Sequence, residues 1–186
     1  GDTGATSLSE ALKSNTTLTE LNFGGNSIGD EGLEVLSKAL IINTSLTELY
    51  LDENSLSEEG VAPLGEALKK NTTLTKLDLS GNNIRDIGVT SLSEALKTNS
   101  SLIKLNIRDC EIGDSGGEAI GEALKINESL TKLNIGDNFI ETGGAKAISK
   151  ALMANTTLAQ LYFWWNFIGD VGATSISEAL ESNTTL

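Results

Sequence analysis

The sequence contains no histidine and only one cysteine among its 186 residues. Without histidine the chain has no imidazole general base and no imidazole metal ligand. Without a second cysteine it can form no internal disulfide. We therefore expect no metal site, no cofactor and no enzyme activity. A single thiol in a chain without disulfides is typical of a reducing compartment, which favours a cytoplasmic location.

Positive charge and long apolar runs are also scarce. The chain has 13 lysines and arginines against 26 aspartates and glutamates, a formal net charge of −13. A chain of this sign repels nucleic acid and anionic membrane surfaces, so we expect neither as a partner. No apolar run approaches the ~18 residues of a membrane span. We expect no signal peptide either, because no basic segment followed by an apolar run opens the sequence.

An internal repeat dominates the sequence. Tripeptides of the type NTT, NTS, NSS or NES recur every 28 residues, from Asn15 to Asn183. Between them runs one template, LxxLxLxxNxIGDxGxxxLSxALKxN. Six full copies begin at residues 18, 46, 74, 102, 130 and 158, and a partial copy stands at each end. Residues 1–186 are therefore expected to form a single repeat array.

Each copy changes its hydrophobic period at its middle. The first half, such as LTKLDLSGNNI from Leu74, alternates and predicts a short strand with one buried face. The second half, such as GVTSLSEALK from Gly88, has the apolar spacing of a helix. Because helices are wider than strands, the stack should curve with its sheet inside. Pro63 falls about one turn into the second full repeat's helix and predicts a late or irregular helix start there.

The pattern LxxLxLxxN-x-I/L resembles the leucine-rich repeat motif. The 28-residue length and the helix-forming second half resemble the ribonuclease-inhibitor-like class, which includes the inhibitor, the sensor regions of NOD-like receptors and the Ran GTPase-activating protein. The resemblance covers the whole chain. It implies an α/β fold, a right-handed solenoid or horseshoe with a concave parallel β-sheet and convex α-helices, and a surface used for binding.

Three recurring polar positions are interpreted as structural. The Asn-x-Ser/Thr tripeptides are formal glycosylation sequons, but all of them stand where a helix ends, and asparagine there tolerates a left-handed backbone. An asparagine at the bend after each strand should bond free backbone groups, and Cys110 replaces it in one copy as an inert buried thiol. Aspartates stand just before the helices and should cap the same helices. They are Asp30, Asp86, Asp114 and Asp170.

Charges on the predicted inner face are zoned. Glu20 and Glu48 are followed, at the same repeat position, by a lysine row that consists of Lys76, Lys104 and Lys132. Like charges on neighbouring strands are mildly unfavourable. The row is therefore interpreted either as a solvated surface or as the docking point of an acidic partner.

Five of the eight aromatic residues lie within LYFWWNFIGD, residues 161 to 170. Phe163 aligns with core positions. Four others, Tyr162, Trp164, Trp165 and Phe167, align mostly with polar residues or glycine, and Phe139 extends the group from the previous copy. Exposed aromatics on a rigid scaffold indicate a binding hot spot. Alternatively, Trp164 lies flat over Gly136, or further repeats cover the group.

These observations favour a non-enzymatic protein-recognition module that binds a protein partner on its concave face. The expected partner-binding residues are Tyr162, Trp164, Trp165, Phe167, Phe139, Lys76, Lys104, Lys132 and Arg108. One alternative is a GTPase-activating protein of the Ran-activator type, in which Arg85 or Arg108 would touch the nucleotide. Another is a structural scaffold without a natural ligand.

The ends of the array carry a further prediction. Neither end departs from the template, although terminal repeats normally differ in order to cap a solenoid. The first helix should expose Ala5, Leu8 and Leu12. The last should expose Ile176, Ala179 and Leu180 beside an unpaired strand edge. An open edge next to apolar surface invites another chain, so we expect end-to-end self-association.

Overall fold

The computed structural model describes all 186 residues as seven helices that alternate with six short strands. The helices are α1 (Asp2–Ser14), α2 (Asp30–Ile42), α3 (Ala62–Leu68), α4 (Arg85–Leu96), α5 (Asp114–Leu124), α6 (Thr142–Leu152) and α7 (Gly169–Ser182). The strands are β1 (Glu20–Asn22), β2 (Glu48–Tyr50), β3 (Lys76–Asp78), β4 (Lys104–Asn106), β5 (Lys132–Asn134) and β6 (Gln160–Tyr162).

The strands form one parallel sheet in the order β1-β2-β3-β4-β5-β6. Equivalent residues of successive copies lie side by side, as Leu77 and Leu105 do. Helices connect the parallel strands on the other side of the core, which confirms the predicted leucine-rich repeat solenoid. None of the helices combines the length and the apolar character needed to cross a membrane.

A single core of 41 buried residues fills the space between sheet and helices. The strand leucines and the inner helix faces supply it, and full burial of each such side chain contributes about 1.5–3 kcal/mol. The expected exposure at the ends is only partly correct. Ala5, Leu12 and Ala179 are buried, because each terminal helix still packs on one neighbour, whereas Leu8 and Leu180 are exposed. Ile176 is half-buried.

The asparagines of the NTT-type tripeptides close the helix ends through their side chains. Asn43, at the end of α2, has an extended backbone with φ −69°. The expected left-handed conformation is therefore wrong. Asn99 shows the actual role, since its Nδ2 donates to the Leu68 and Asn71 carbonyls at 2.7 and 3.2 Å. Its Oδ1 accepts from the Leu102 amide at 2.8 Å. From Asn43 to Asn183, each such asparagine thus binds its own repeat to the helix end of the preceding repeat.

The aspartates at the helix starts do not cap their own helices, so this sequence-based prediction is wrong. No helix has a side-chain cap of its own, as α5 illustrates. Asp86 instead accepts from the Gly113 and Gly116 amides, at 2.7 and 3.0 Å, at the start of the next helix. Asp2 caps α2 in the same way through Gly29. Carboxylates favour a helix N-terminus, so these contacts stabilise the stacking of successive repeats.

Helix α3 confirms the prediction made from Pro63. It begins at Ala62, four residues later than the position equivalent to the start of α2, and has 7 residues against 13. Proline stands in its first turn, where the missing N–H has no helical partner to lose. The segment before it, up to Val61, forms irregular turns.

The bend after each strand also joins neighbouring repeats. Asn138 Nδ2 donates to the Ile107 carbonyl of the previous repeat at 3.0 Å, while its Oδ1 accepts from the Cys110 and Ile112 amides. Cys110 substitutes for the asparagine of its own copy, with Sγ 3.4 Å from the Leu79 carbonyl. Burial raises the pKa of the Cys110 thiol to about 12, so the thiol stays protonated and neutral at neutral pH.

Candidate functional site

The parallel register brings the lysine row together on the sheet. Lys76 pairs with Lys104, and Lys104 pairs with Lys132, on adjacent strands. The row borders a shallow groove of about 250 Å³. The Asp78 carboxylate shares the groove and accepts from Asn106 Nδ2 at 2.9 Å. Three lysines and one aspartate thus line the middle of the concave face, although the chain as a whole is acidic.

One end of the row is neutralised by a network of three side chains. Tyr50 donates to Glu48 Oε2 at 2.7 Å, and Lys76 donates to the Tyr50 hydroxyl. The hydrogen bond from Tyr50 lowers the pKa of Glu48, and the bond to Tyr50 raises the pKa of Lys76. Lys76 is thus already bound by side chains of its own chain. Lys104 has no ion pair and is exposed, which leaves it the free cation of the row.

Two of the expected aromatic anchors lie next to this row. Lys132 Nζ stands 4.9 Å from the centroid of the Tyr162 ring. The Arg108 guanidinium stands 4.9 Å from the ring of Trp164. Trp164 also lies over Gly136, where an added Cβ would approach its Cε2 to 2.7 Å. That contact confirms the alternative placement of Trp164, yet 42% of the residue remains exposed.

The other three anchors form a separate feature, the rim groove, in the loops that follow β5 and β6. Phe139 and Phe167 stack with ring centroids 6.2 Å apart and planes inclined by 13°. Trp165 completes the apolar lining and touches Trp164 edge-on at 5.8 Å. The groove has a volume of about 470 Å³. It is lined by Asp109, Glu111, Asp137, Asn138, Phe139, Trp165, Asn166 and Phe167. Phe163 is partly buried against the core.

Three carboxylates of the rim groove were not singled out from the sequence. Asp109 and Asp137 occupy the same repeat position as Trp165, so alignment of the copies held the signal that could have identified them. Residues at this position have left-handed backbones, with φ of +54° at Asp109, +59° at Asp137 and +52° at Trp165. Glycine adopts this conformation freely, whereas a bulky side chain adopts it at a cost of about 1–2 kcal/mol.

Both arginines are held by carboxylates. Arg85 Nε lies 3.0 Å from Glu111 Oε2, and Arg108 Nη2 lies 3.1 Å from Asp137 Oδ2. Each guanidinium is thus paired with a carboxylate of its own chain, so the geometry does not favour the GTPase-activating alternative. No set of three histidine, cysteine, aspartate or glutamate side chains is grouped to hold a metal ion.

Comparison with known proteins agrees with the fold. The structure resembles that described as leiomodin-1 actin-binding site 2, with a TM-score of 0.57 and 23% identity, over 94% of this chain and 86% of that one. It also resembles the tropomodulin C-terminal domain of Caenorhabditis elegans, with a TM-score of 0.62 and 18% identity, over 96% and 92%. No curated protein sequence matches the chain significantly.

Family profiles cover most of the sequence. Residues 14–37 and 43–65 match the leucine-rich repeat family. Residues 78–186, more than half of the chain and including both the lysine row beyond Lys76 and the rim groove, match the TMOD/LMOD leucine-rich domain. The protein therefore belongs to the TMOD/LMOD leucine-rich domain family.

Proposed function

We propose that the chain is a non-enzymatic protein-recognition module that binds a protein partner on its concave face. The observation that carries the proposal is the exposed pair Tyr162 and Trp164 beside the lysine row, on a sheet whose backbone is fixed by six parallel strands. Large aromatics supply contact area at a low entropic cost, and the basic row orients an acidic group of the partner. Arg108, held over Trp164, extends the basic surface.

Actin is the partner that we propose to test first. The description of the leiomodin-1 structure names an actin-binding site, and the present chain shares its fold along almost its whole length. Lys104 suits a carboxylate of the partner because it is exposed and forms no ion pair within its own chain. We further infer a ribonuclease-inhibitor-like subclass from the 28-residue period, and a cytoplasmic location from the single cysteine.

The test measures binding of the chain to purified monomeric actin by isothermal titration calorimetry. Lys104→Glu should weaken binding about tenfold or more. Lys146→Glu is the matched control, because it makes the same charge change on an exposed lysine of α6 without an ion pair. It should change affinity by less than about twofold, since a charge on the helix side of the core is more than a Debye length, ~8 Å at ~0.15 M salt, from a partner on the sheet and is largely screened. Equal weakening by the two substitutions would contradict a specific role for the row.

A second variant tests the aromatic anchors without disturbing the fold. Tyr162→Asn and Trp164→Gly restore residues that other copies carry at the same positions, as Asn134 and Gly136 do. The double variant should fold normally and lose actin binding. Unaltered binding by the double variant would show that Tyr162 and Trp164 are not part of the site. Absence of binding by the wild-type chain would show that actin is not the partner.

A further inference from the structure

The aromatic residues near the C-terminal end differ in how their faces are used. Tyr162 and Trp164 each have a basic side chain of this protein over the ring, 4.9 Å from the centroid. Tyr50 holds Lys76 in the same way at 4.5 Å. No lysine or arginine stands over Phe139, Phe167 or Trp165. The three exposed rings that line the rim groove thus carry no internal cation.

The charge around the rim groove has the sign that a cation requires. Three carboxylates line it, those of Asp109, Glu111 and Asp137. Glu111 and Asp137 are balanced by Arg85 and Arg108. Asp109 is exposed and its side chain makes neither an ion pair nor a hydrogen bond. The groove therefore combines one uncompensated negative charge with three aromatic rings that hold no internal cation, a combination that attracts one organic cation.

Trp165 does not serve the fold at this place. It is 75% exposed and has a left-handed backbone at φ +52°. Gly25 and Gly81 occupy the same position in other copies and adopt it without strain. A large side chain held in an unfavourable conformation without burial indicates a role outside folding.

We propose that the rim groove binds the basic side chain of a lysine or arginine from a partner polypeptide, with the cation between the Trp165 ring and the Asp109 carboxylate. The proposal rests on the proposed function only in that the ligand is a protein. The net charge of −13 attracts a basic segment and disfavours a second copy of this acidic chain as the occupant. The volume of about 470 Å³ accommodates one long side chain with its adjoining backbone.

The experiment uses two synthetic peptides on the full chain. One carries a single arginine between glycine and serine residues, and the other carries citrulline, which has nearly the same shape without the charge. Binding is followed by NMR through the Trp165 indole N–H and the amides of residues 137–139. The arginine peptide should bind about fivefold more tightly than the citrulline peptide, which corresponds to ~1 kcal/mol for an exposed cation–π contact.

Two substitutions that are compatible with the positive φ at these positions test whether the Asp109 carboxylate and the Trp165 ring bind the cation. Asp109→Asn removes the charge and keeps a residue type that tolerates positive φ, and Trp165→Gly removes the ring. Each should abolish the preference for arginine. Glu53→Gly is the matched control, since Glu53 has the same repeat position and φ +50° but lies outside the groove. It should leave the preference unchanged.

The possible outcomes separate the two proposals. Equal affinity for the arginine and citrulline peptides would overturn cation binding. So would a preference that persists in both Asp109→Asn and Trp165→Gly. The peptide assay contains no actin, so the absence of actin binding would sink the actin assignment and leave this result intact.

Discussion

Replacement of Asn99 by aspartate removes hydrogen-bond donors from the interior while the shape of the side chain stays the same. Asn99 is 6% exposed, and its Nδ2 donates to the Leu68 and Asn71 carbonyls at 2.7 and 3.2 Å. In Asn99→Asp both carbonyls lose this donor, and a carboxylate oxygen, which is itself an acceptor, takes the place of Nδ2. A buried polar group left without its partner costs about 1–3 kcal/mol. We expect the free energy of unfolding to fall by roughly 2–6 kcal/mol.

Asn15→Asp is the matched control. Asn15 stands at the equivalent position of the partial copy at the N-terminal end. Its Oδ1 accepts from the Thr17 and Leu18 amides at 3.1 and 2.7 Å, and its Nδ2 donates to nothing. Aspartate preserves both of these bonds. The new charge near a helix C-terminus costs up to ~1 kcal/mol in either variant, so the difference between them isolates the lost donors.

Urea denaturation monitored by circular dichroism measures both variants. Desolvation should raise the pKa of the new carboxyl at position 99 above its unfolded value of about 4. The penalty is therefore present at neutral pH and shrinks as the pH falls through the raised folded pKa, because the protonated carboxyl regains a donor. Equal losses for Asn99→Asp and Asn15→Asp at pH 7 would refute the reasoning. Asn127, bonded to the Leu96 carbonyl at 2.8 Å, provides a second internal site for the test.

Four further outcomes follow from the structure. Trp165→Gly and Glu53→Gly should each raise the free energy of unfolding by about 0.5–1 kcal/mol, because both relieve the strain of a positive φ. If only Trp165→Gly destabilises the protein, the indole is needed for packing. Cys110 is fully buried and burial raises the pKa of its thiol to about 12, so it should react with 5,5′-dithiobis(2-nitrobenzoate) at pH 8 only after denaturant is added. Rapid reaction of the thiol in the folded protein would contradict this. Self-association through the open edge of β6 should strengthen with added salt, because salt screens the net charge of −13. A sedimentation experiment that shows only monomer at high protein concentration and high salt would exclude this association. The sequon amides of the inner repeats, such as those of Asn99 and Asn127, donate to carbonyls of the preceding repeat, so intact-mass measurement of natively produced protein should detect no N-glycan at these sites.

The architecture was predictable because its signals are local and repeated. Alternation over a few residues defines each strand, apolar spacing defines each helix, and the 28-residue period aligns the strands. The adjacent placement of Lys76, Lys104 and Lys132 therefore followed from the sequence. The late start of α3 followed from Pro63 alone, since the effect of proline on a helix needs no tertiary partner.

The partners of polar side chains were not predictable in the same way. An aspartate next to a helix start is close in sequence to its own helix, yet Asp86 faces the amides of Gly113 and Gly116. Periodicity supplies identical residues in every copy and does not reveal which copy a side chain faces. The same limit applies to the aromatic cluster. Its division between the sheet and the rim groove depends on the positive φ of Trp165, which is a property of the folded backbone.

The polar contacts between repeats set the only length change that the array tolerates. Asn99 reaches carbonyls 28 and 31 residues earlier, and Asp86 reaches amides 27 and 30 residues later. If a duplication or deletion removes or adds 28 residues, an equivalent residue arrives at each partner's place and the bonds form again. Any other number leaves these side chains without their partners across the junction. Growth or shortening of this chain during evolution is therefore quantised in whole repeats, and hydrogen bonds define the unit.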